Sequence, residues 1–301
     1  MKHLIVILGA TATGKTNLAV NLAREINGEI ISADSRQVYR GMDIGTGKDL
    51  SEYGDVRYHL IDIAAAGDQY NIFNYKLSFE ETLQQIKERD KFPIVCGGSG
   101  MYLEVALGLY NMNEAPIDHK FRLEAENRSD NELISQLEAL KEVHNVTDLK
   151  DRERLIRAIE IAREETKRTG LYDNEPRTHF IYGVAASRQE IRDRITKRLK
   201  SRLDEGLIEE VEELHSKGIS FESLRYYGLE YKYVSMYLQG ELNYDEMFRL
   251  LNTAIHQFAK RQMTWFRRME RRGVQIKWLP ADSEIFTSTI LRDIESGRKD
   301  Y

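Results

Sequence analysis

The residues best suited to chemistry begin nine positions into the chain. Gly9-Ala10-Thr11-Ala12-Thr13-Gly14-Lys15-Thr16 matches the G-x-x-x-x-G-K-[ST] pattern of a phosphate-binding loop. Its glycines let successive backbone N–H groups turn toward one anion. The helix that follows adds the positive end of its dipole. Lys15 supplies a point charge for phosphate oxygens, and the Thr16 hydroxyl can hold Mg²⁺. The pattern specifies a polyphosphate, but neither a nucleotide nor hydrolysis. A second constellation follows at Asp34-Ser35-Arg36-Gln37, running on to Gly45-Thr46-Gly47-Lys48, which could add another anion contact. A third is Gly97-Gly98-Ser99-Gly100, a flexible turn carrying a hydroxyl.

These groups need a scaffold that brings them to one edge. Leu4–Leu8 is a continuous apolar run ending at Gly9, as expected of a buried parallel strand. Lys15–Ile26 reads as a helix, Glu29–Ser32 as a strand, Phe73–Arg89 as a helix and Phe92–Cys96 as a strand. Strands alternating with helices predict an α/β fold: a phosphate-loop core built on a parallel sheet, with helices on both faces. In such a sheet ligands gather beyond the carboxyl ends of the strands, where all three constellations would stand.

The character changes near Asn111. From Lys120 to Arg168 the chain holds almost only helix formers, predicting two or three helices and no strand. Gly170–Arg177 is a polar break, Phe180–Ala185 returns to strand character, and long helices follow, with a last strand at Gln275–Leu279. The expected organisation is a core of 1–111 and 180–301 interrupted by an all-helical insertion at 112–179.

Composition narrows the class. With 41% apolar residues, 31% charged and only 4 prolines, collagen-like, proline-rich and low-complexity chains are excluded. The single cysteine, Cys96, excludes an intramolecular disulfide framework and a multi-cysteine zinc site, and is read as a buried strand residue. No apolar stretch approaches a membrane span. Leu4–Leu8 runs directly into the glycine motif, which signal cleavage would destroy, so a cytoplasmic protein is expected. A net charge of −5 gives no bulk field for nucleic acid, so any such binding must be local. Arg188–Arg202 carries seven Lys/Arg against two acids and is one candidate; Lys260–Arg272 is another.

Taken together, these residues resemble the tRNA dimethylallyltransferase (tRNA isopentenyltransferase) family over nearly the whole chain. The resemblance rests on the phosphate loop and on Asp34-Ser35 with Tyr39-Arg40-Gly41-Met42-Asp43-Ile44-Gly45-Thr46. It rests equally on Gly97-Gly98-Ser99-Gly100, Arg154-Leu155-Ile156-Arg157-Ala158-Ile159-Glu160 and Gln257-Phe258-Ala259-Lys260-Arg261-Gln262-Met263-Thr264-Trp265-Phe266-Arg267. It implies transfer of a dimethylallyl group from dimethylallyl diphosphate to the exocyclic amine of the adenosine just 3′ of the tRNA anticodon. Gly9 to Thr16 would then hold the donor's diphosphate, with Mg²⁺ on Thr16 as cofactor. Asp34 would be the general base, and Ser99, standing where the family usually has Thr, would keep its hydrogen-bonding role. Asp34, Ser35, Arg36, Gln37, Ser99 and Arg225 would meet the RNA, as would Arg122, Glu153, Arg154, Leu155, Ile156 and Arg157 on the insertion. The insertion would clamp the anticodon stem-loop, the enzyme would be a monomer, and no membrane would be involved.

One stretch departs from the family. Its usual Arg-Cys-Val-Gly-Tyr followed by Arg or Lys is here Arg225-Tyr226-Tyr227-Gly228-Leu229-Glu230, with an aromatic moved and a basic position made acidic. Three other readings are weighed. An adenylate isopentenyltransferase would need no RNA clamp. A small-molecule phosphate-loop kinase leaves Ala259–Trp265 without a role. A non-catalytic RNA-binding module leaves Asp34 unused.

Overall fold

A computed structural model describes residues 3–109, 116–140, 149, 151–167 and 179–296, with the backbone alone for 165–167. The change of character near Asn111, the end of the helical stretch at Arg168 and the polar break at Gly170–Arg177 lie outside the described residues. The chain divides into two compact units: Met1–Tyr110 with Pro176–Tyr301, and Asn111–Glu175.

The larger unit begins with β1 (Leu4–Leu8), α1 (Lys15–Ile26) and β2 (Gly28–Ala33). A 3-10 turn at Leu50–Glu52 precedes β3 (Tyr58–His59), α2 (Ile72–Glu88), β4 (Phe92–Gly97) and α3 (Gly100–Ala106). The smaller unit holds α4 (His119–Glu126), α5 (Asp130–Leu140) and α6 (Arg152–Lys167). The larger unit resumes with β5 (His179–Ala185), α7 (Arg188–Asp204), α8 (Leu207–Ser216), α9 (Phe221–Leu224) and α10 (Leu229–Leu238). It closes with α11 (Tyr244–Arg271), β6 (Lys277–Pro280) and α12 (Ser283–Glu295).

Among the described residues the sheet has six strands in the order β3-β2-β4-β1-β5-β6, all parallel. The runs read as buried strands are buried on both faces, as a parallel sheet requires: Ile5, Val6, Ile7, Leu8, Ile30, Ile31, Ile94 and Val95 have no exposed surface. The short edge strand β3 is not foreseen from sequence. Its two residues carry no apolar run, and Arg57–His59 is placed by pairing with Ile30 and Ile31.

Side-chain alternation sends Ile5 and Ile7 to one face, where Leu18, Ala19 and Leu22 of α1 meet Phe286 and Ile290 of α12. The other face is covered by α2 and α3, through buried Tyr75, Phe79 and Leu103. A second cluster joins α7, α8, α10 and α11 around Leu199, Val211, Tyr231, Val234 and Leu251, packed against Val38, Tyr39 and Met42 from the loop after β2. The smaller unit has its own core, in which Phe121, Leu133, Leu137, Leu155 and Ile159 are essentially fully buried. The register Leu8↔Gly97 and Ala33↔Gly97 ends β1, β2 and β4 at one level, so the loops that leave them share one edge.

Candidate active site

A cavity of about 540 Å³ opens at that edge. Its wall includes Thr11, Lys15 and Thr16 after β1, Asp34 to Gln37 after β2, and Cys96 to Gly100 at the end of β4. Gly45, Thr46 and Gly47 add one side, Arg198 and Arg202 of α7 another. Tyr226 to Glu230, and Phe258, Arg261, Gln262 and Trp265 of α11, stand on the wall as well.

The phosphate loop curls because Ala12 (φ 63°) and Gly14 (φ 82°) take left-handed backbone conformations, routine for glycine and costly for alanine. Gly9, Ala10, Ala12, Thr13 and Gly14 shape the loop, whereas Thr11, Lys15 and Thr16 reach the cavity. The Thr13 hydroxyl is spent internally, donating to the Ala10 carbonyl at 2.9 Å. A side chain at Gly9 would press on Thr13 Oγ1 at 2.8 Å. Lys15 Nζ rests 3.5 Å from the Ala10 carbonyl. Burial lowers the Lys15 pKa, an effect that nearby Asp34 opposes and that the like charges of Arg198 and Arg202 reinforce. The neighbouring Cys96 is buried and its thiol is pushed up to about 12, so it stays neutral.

α7 supplies what composition could not assign. Arg194, Arg198 and Arg202 recur at four-residue spacing on one helical face. Arg194 donates to the Thr13 carbonyl at 3.5 Å. Arg198 donates to the Gly47 carbonyl at 3.3 Å and pairs with Asp49. Arg202 is buried and lies 3.6 Å from Glu230. The basic run Arg188–Arg202, expected to hold RNA backbone phosphates, therefore turns two of its arginines into the cavity beside Lys15. Gly47 (φ 60°) makes room for them: a Cβ there would stand 1.5 Å from Arg202 Nη2.

Asp34 lines the cavity with Oδ1 accepting the Arg36 N–H at 3.0 Å, a turn that fixes the carboxylate just beyond β2. Ser99 Oγ accepts the Ser35 N–H at 3.1 Å, tying the β4 turn to the Asp34 turn. Gln37 accepts from Ser32 Oγ at 3.0 Å and donates to the Gly47 carbonyl at 3.1 Å. The 43–47 wall is held from behind by Glu210, whose carboxylate accepts the N–H groups of Asp43, Ile44 and Gly45 at 2.7–2.9 Å and the Tyr231 hydroxyl at 2.7 Å. Lys48 is a correction to the sequence reading. It is fully buried, donates to the Tyr39 carbonyl at 2.7 Å and pairs with Asp43 and Asp62, so its ammonium braces the loop and is not an anion contact.

Two residues that sequence reasoning did not single out join these walls. Gln262 on α11 uses both ends of its amide: Oε1 accepts the Thr11 N–H at 2.8 Å and Nε2 donates to the Gly98 carbonyl at 2.9 Å. Trp265, one turn on, lies against Gly100, where a Cβ would come within 2.2 Å of the indole. The signal for both was present in Ala259–Trp265, but no local pattern says what a helix 160 to 250 residues away will touch. Arg225 lines the cavity while bonded to Gln239 at 2.5 Å and paired with Glu241.

The smaller unit uses several of its arginines to hold itself together. Glu160 accepts from Arg122 at 2.8 Å and from Arg157 at 2.8 Å, and these hydrogen bonds hold its carboxyl below the usual range although burial works to raise it. Arg152 bonds the Ala125 and Arg128 carbonyls and pairs with Asp130, and Arg163 lies over the Phe121 ring at 4.0 Å. Arg154 and Glu153 are exposed at the start of α6, and Ile156 is partly buried. Leu155, expected at an RNA surface, has no exposed side chain; it belongs to the α4–α6 core because its helical phase matches Ile159 and Ala162.

No group of three His, Cys, Asp or Glu that could cage a metal occurs among the described residues. The Thr16 hydroxyl on the cavity wall is a hard oxygen donor of the kind that could hold a Mg²⁺ brought largely on phosphate oxygens.

A family model described as IPP transferase matches residues 37–269. The chain belongs to this family. A model described as isopentenyl transferase matches residues 2–68. Among curated relatives, tRNA dimethylallyltransferase 1 of Geotalea uraniireducens is 53% identical over 283 residues, 94% of each chain. tRNA dimethylallyltransferase 2 of Syntrophotalea carbinolica is 54% identical over 282 residues, 92% of this chain and 94% of that one. The crystal structure of a Bacillus halodurans tRNA isopentenylpyrophosphate transferase superposes with a TM-score of 0.73 at 30% identity, covering 98% of this chain and 96% of that one. A eukaryotic dimethylallyltransferase acting on tRNA gives a TM-score of 0.82 at 21% identity, covering 99% of this chain and 80% of that one, which speaks to the fold alone.

Proposed function

We infer that this chain is a tRNA dimethylallyltransferase, transferring the dimethylallyl group of dimethylallyl diphosphate to the exocyclic amine of the adenosine 3′ to the anticodon. The observation that carries this reading is that one cavity is lined by a phosphate-loop lysine, two inward arginines and a carboxylate. It has cations for a leaving diphosphate and a base for an attacking amine.

In the reaction the C1–O bond of the allylic diphosphate breaks and a bond from adenine N6 to C1 forms. The diphosphate leaves with the bonding pair, and one N6 proton is lost. Lys15, Arg198 and Arg202, already crowded as like charges, are relieved by the negative charge that grows on the departing oxygens. Thr11 N–H stays bonded to Gln262, which keeps the loop shaped before the donor arrives. Mg²⁺, held by Thr16 and the donor's oxygens, would add charge neutralisation. Asp34, fixed by the Arg36 N–H, accepts the proton as the N–C bond forms, useful because a neutral aromatic amine is a weak nucleophile. The adenine must be unstacked to reach it. Ser99 keeps the Asp34 turn in register with β4. Among the described residues no helix is long and apolar enough to cross a membrane, and a cytoplasmic monomer is proposed. No observation favours a free adenylate as acceptor.

The test offers labelled dimethylallyl diphosphate with tRNA, AMP or ATP. Label should enter tRNA. Asp34→Asn should slow single-turnover transfer about 100- to 10,000-fold with tRNA affinity within a few-fold. A rate within threefold of the unaltered protein would remove Asp34 from the role of base.

A further inference from the structure

Tyr226 stands out on the cavity wall because the residue is 62% exposed while its backbone N–H and carbonyl are both hydrogen-bonded. Its N–H donates to the Ser223 carbonyl at 3.0 Å, and its own carbonyl accepts Arg36 Nη1 at 3.0 Å. The next residue, Tyr227, is a buried anchor. Its hydroxyl accepts the Gly67 N–H at 2.9 Å, and its ring meets Tyr39 edge-on at 4.8 Å. The Tyr226 ring stands edge-to-face on Tyr227 at 6.2 Å, and the Arg36 guanidinium lies 5.9 Å from its centroid. An exposed aromatic on so fixed a backbone, within reach of an arginine two residues from Asp34, loses little entropy when something lies on it.

A second such pair lies on α11. Phe258 is 38% exposed and shares the stripe Phe258, Gln262, Trp265 that faces the cavity. Gln262 touches the phosphate loop and Trp265 touches Gly100, so Phe258 is one turn further toward solvent. Arg261 Cζ lies 5.9 Å from its ring centroid. Two arginine–aromatic pairs therefore stand on the exposed part of a cavity whose interior holds Asp34. Planar aromatic faces beside guanidinium groups are what unstacked nucleobases and their phosphates bind, with little regard to base identity.

We propose that Tyr226 and Phe258 are stacking platforms for the unpaired nucleotides flanking the acceptor adenosine, so that the enzyme selects RNA whose target lies in an open loop. This rests on the function proposed above and adds the local form of the substrate. Extruding one adenine leaves its neighbours with an exposed face each, and a ring that replaces the lost stacking partner lowers the cost of extrusion. The residue at 226 belongs to the segment where this chain departs from its family, so the platform would be a feature of this chain.

The experiment measures affinity of the full chain for an anticodon stem-loop RNA, with and without an abasic nucleotide on either side of the acceptor adenosine. Tyr226→Ala should weaken binding of the intact stem-loop about 5- to 50-fold. Tyr226→Phe should stay within twofold, and affinity for dimethylallyl diphosphate should not change. Against one of the two abasic RNAs the Tyr226→Ala loss should shrink to less than twofold, because the base it stacked on is gone. Phe258→Ala should behave likewise, with the same or the other abasic position. An equal loss on intact and both abasic RNAs would overturn the proposal, and so would no loss on the intact RNA. Thermal unfolding of each variant within a few degrees of the unaltered protein is expected, since both rings are exposed. If the unaltered protein prenylates no tRNA, the function beneath the proposal fails instead, and that is read in a separate assay.

Discussion

Gln262→Met separates the architecture of the cavity from its charges. The glutamine is buried, and its amide spans from the Thr11 N–H at 2.8 Å to the Gly98 carbonyl at 2.9 Å. Methionine matches its length and volume, so little cavity cost arises. What is lost is a partner for each backbone group. A buried group left unpaired costs about 1–3 kcal/mol, and the Gly98 carbonyl is such a group. The Thr11 bond is partly buried, so water can replace it and about 0.5–1.5 kcal/mol is expected. The sum is roughly 1.5–4.5 kcal/mol, to be read as a lowered midpoint in urea with an unchanged slope. Part of that energy holds the phosphate loop in shape, so inorganic diphosphate should bind about tenfold more weakly, each tenfold being about 1.4 kcal/mol. Gln262→Glu should be worse, because its second oxygen would face the Gly98 carbonyl. Stability within 0.5 kcal/mol of the unaltered protein (about the scatter of surface substitutions), together with unchanged diphosphate affinity, would refute the bracing role.

Lys15→Ala should weaken dimethylallyl diphosphate binding about 10- to 100-fold, the range for a hydrogen bond to a charged group, and leave tRNA affinity within a few-fold in a gel shift. Glu230→Gln should make inorganic diphosphate a roughly tenfold stronger inhibitor, because the carboxylate 3.6 Å from Arg202 no longer competes for it. Burial raises the Glu230 pKa against the opposing pull of Arg202, so lowering the pH should bring the unaltered protein toward the variant in the same inhibition assay. At the amino end of β2, burial works to raise the Glu29 pKa, but hydrogen bonds from Arg89 and His59 hold it below the usual value. Burial also lowers His59. Both folded values lie below the unfolded ones, so stability should decline as pH falls through about 6.5, when unfolded His59 takes its proton, and again below about 4.3. Urea midpoints across that range should show both losses, and Glu29→Gln should flatten the lower one.

Much of this molecule is legible along the chain, and the reason is locality. Leu4–Leu8 must be a buried strand and Lys15–Ile26 a helix, because apolar runs and helix formers act on their own neighbours. The phosphate loop is legible too, since eight consecutive residues carry both its shape and its charge. The three turns that bear Lys15, Asp34 and Ser99 come together because parallel strands end at a common edge. The helices α4, α5 and α6, in the described part of the Lys120–Arg168 stretch, follow in the same way from composition over a long window. Charge tells a different story. Arg188–Arg202 reads as one basic face, yet helical phase sends Arg198 and Arg202 into the cavity, while Lys48, three residues after Gly45, is spent on Asp43 and Asp62. The insertion arginines look alike in sequence, but Arg122 and Arg157 converge on one buried carboxylate. Gln262 and Glu210 brace loops more than 160 residues away, through bonds that no spacing rule describes. A side chain's element is set by the residues beside it, whereas its partner is set by which surfaces the whole fold presses together. That is why five of the six described strands and the phosphate loop could be read from the sequence, while β3, the ion pairs and the braces had to be seen in three dimensions.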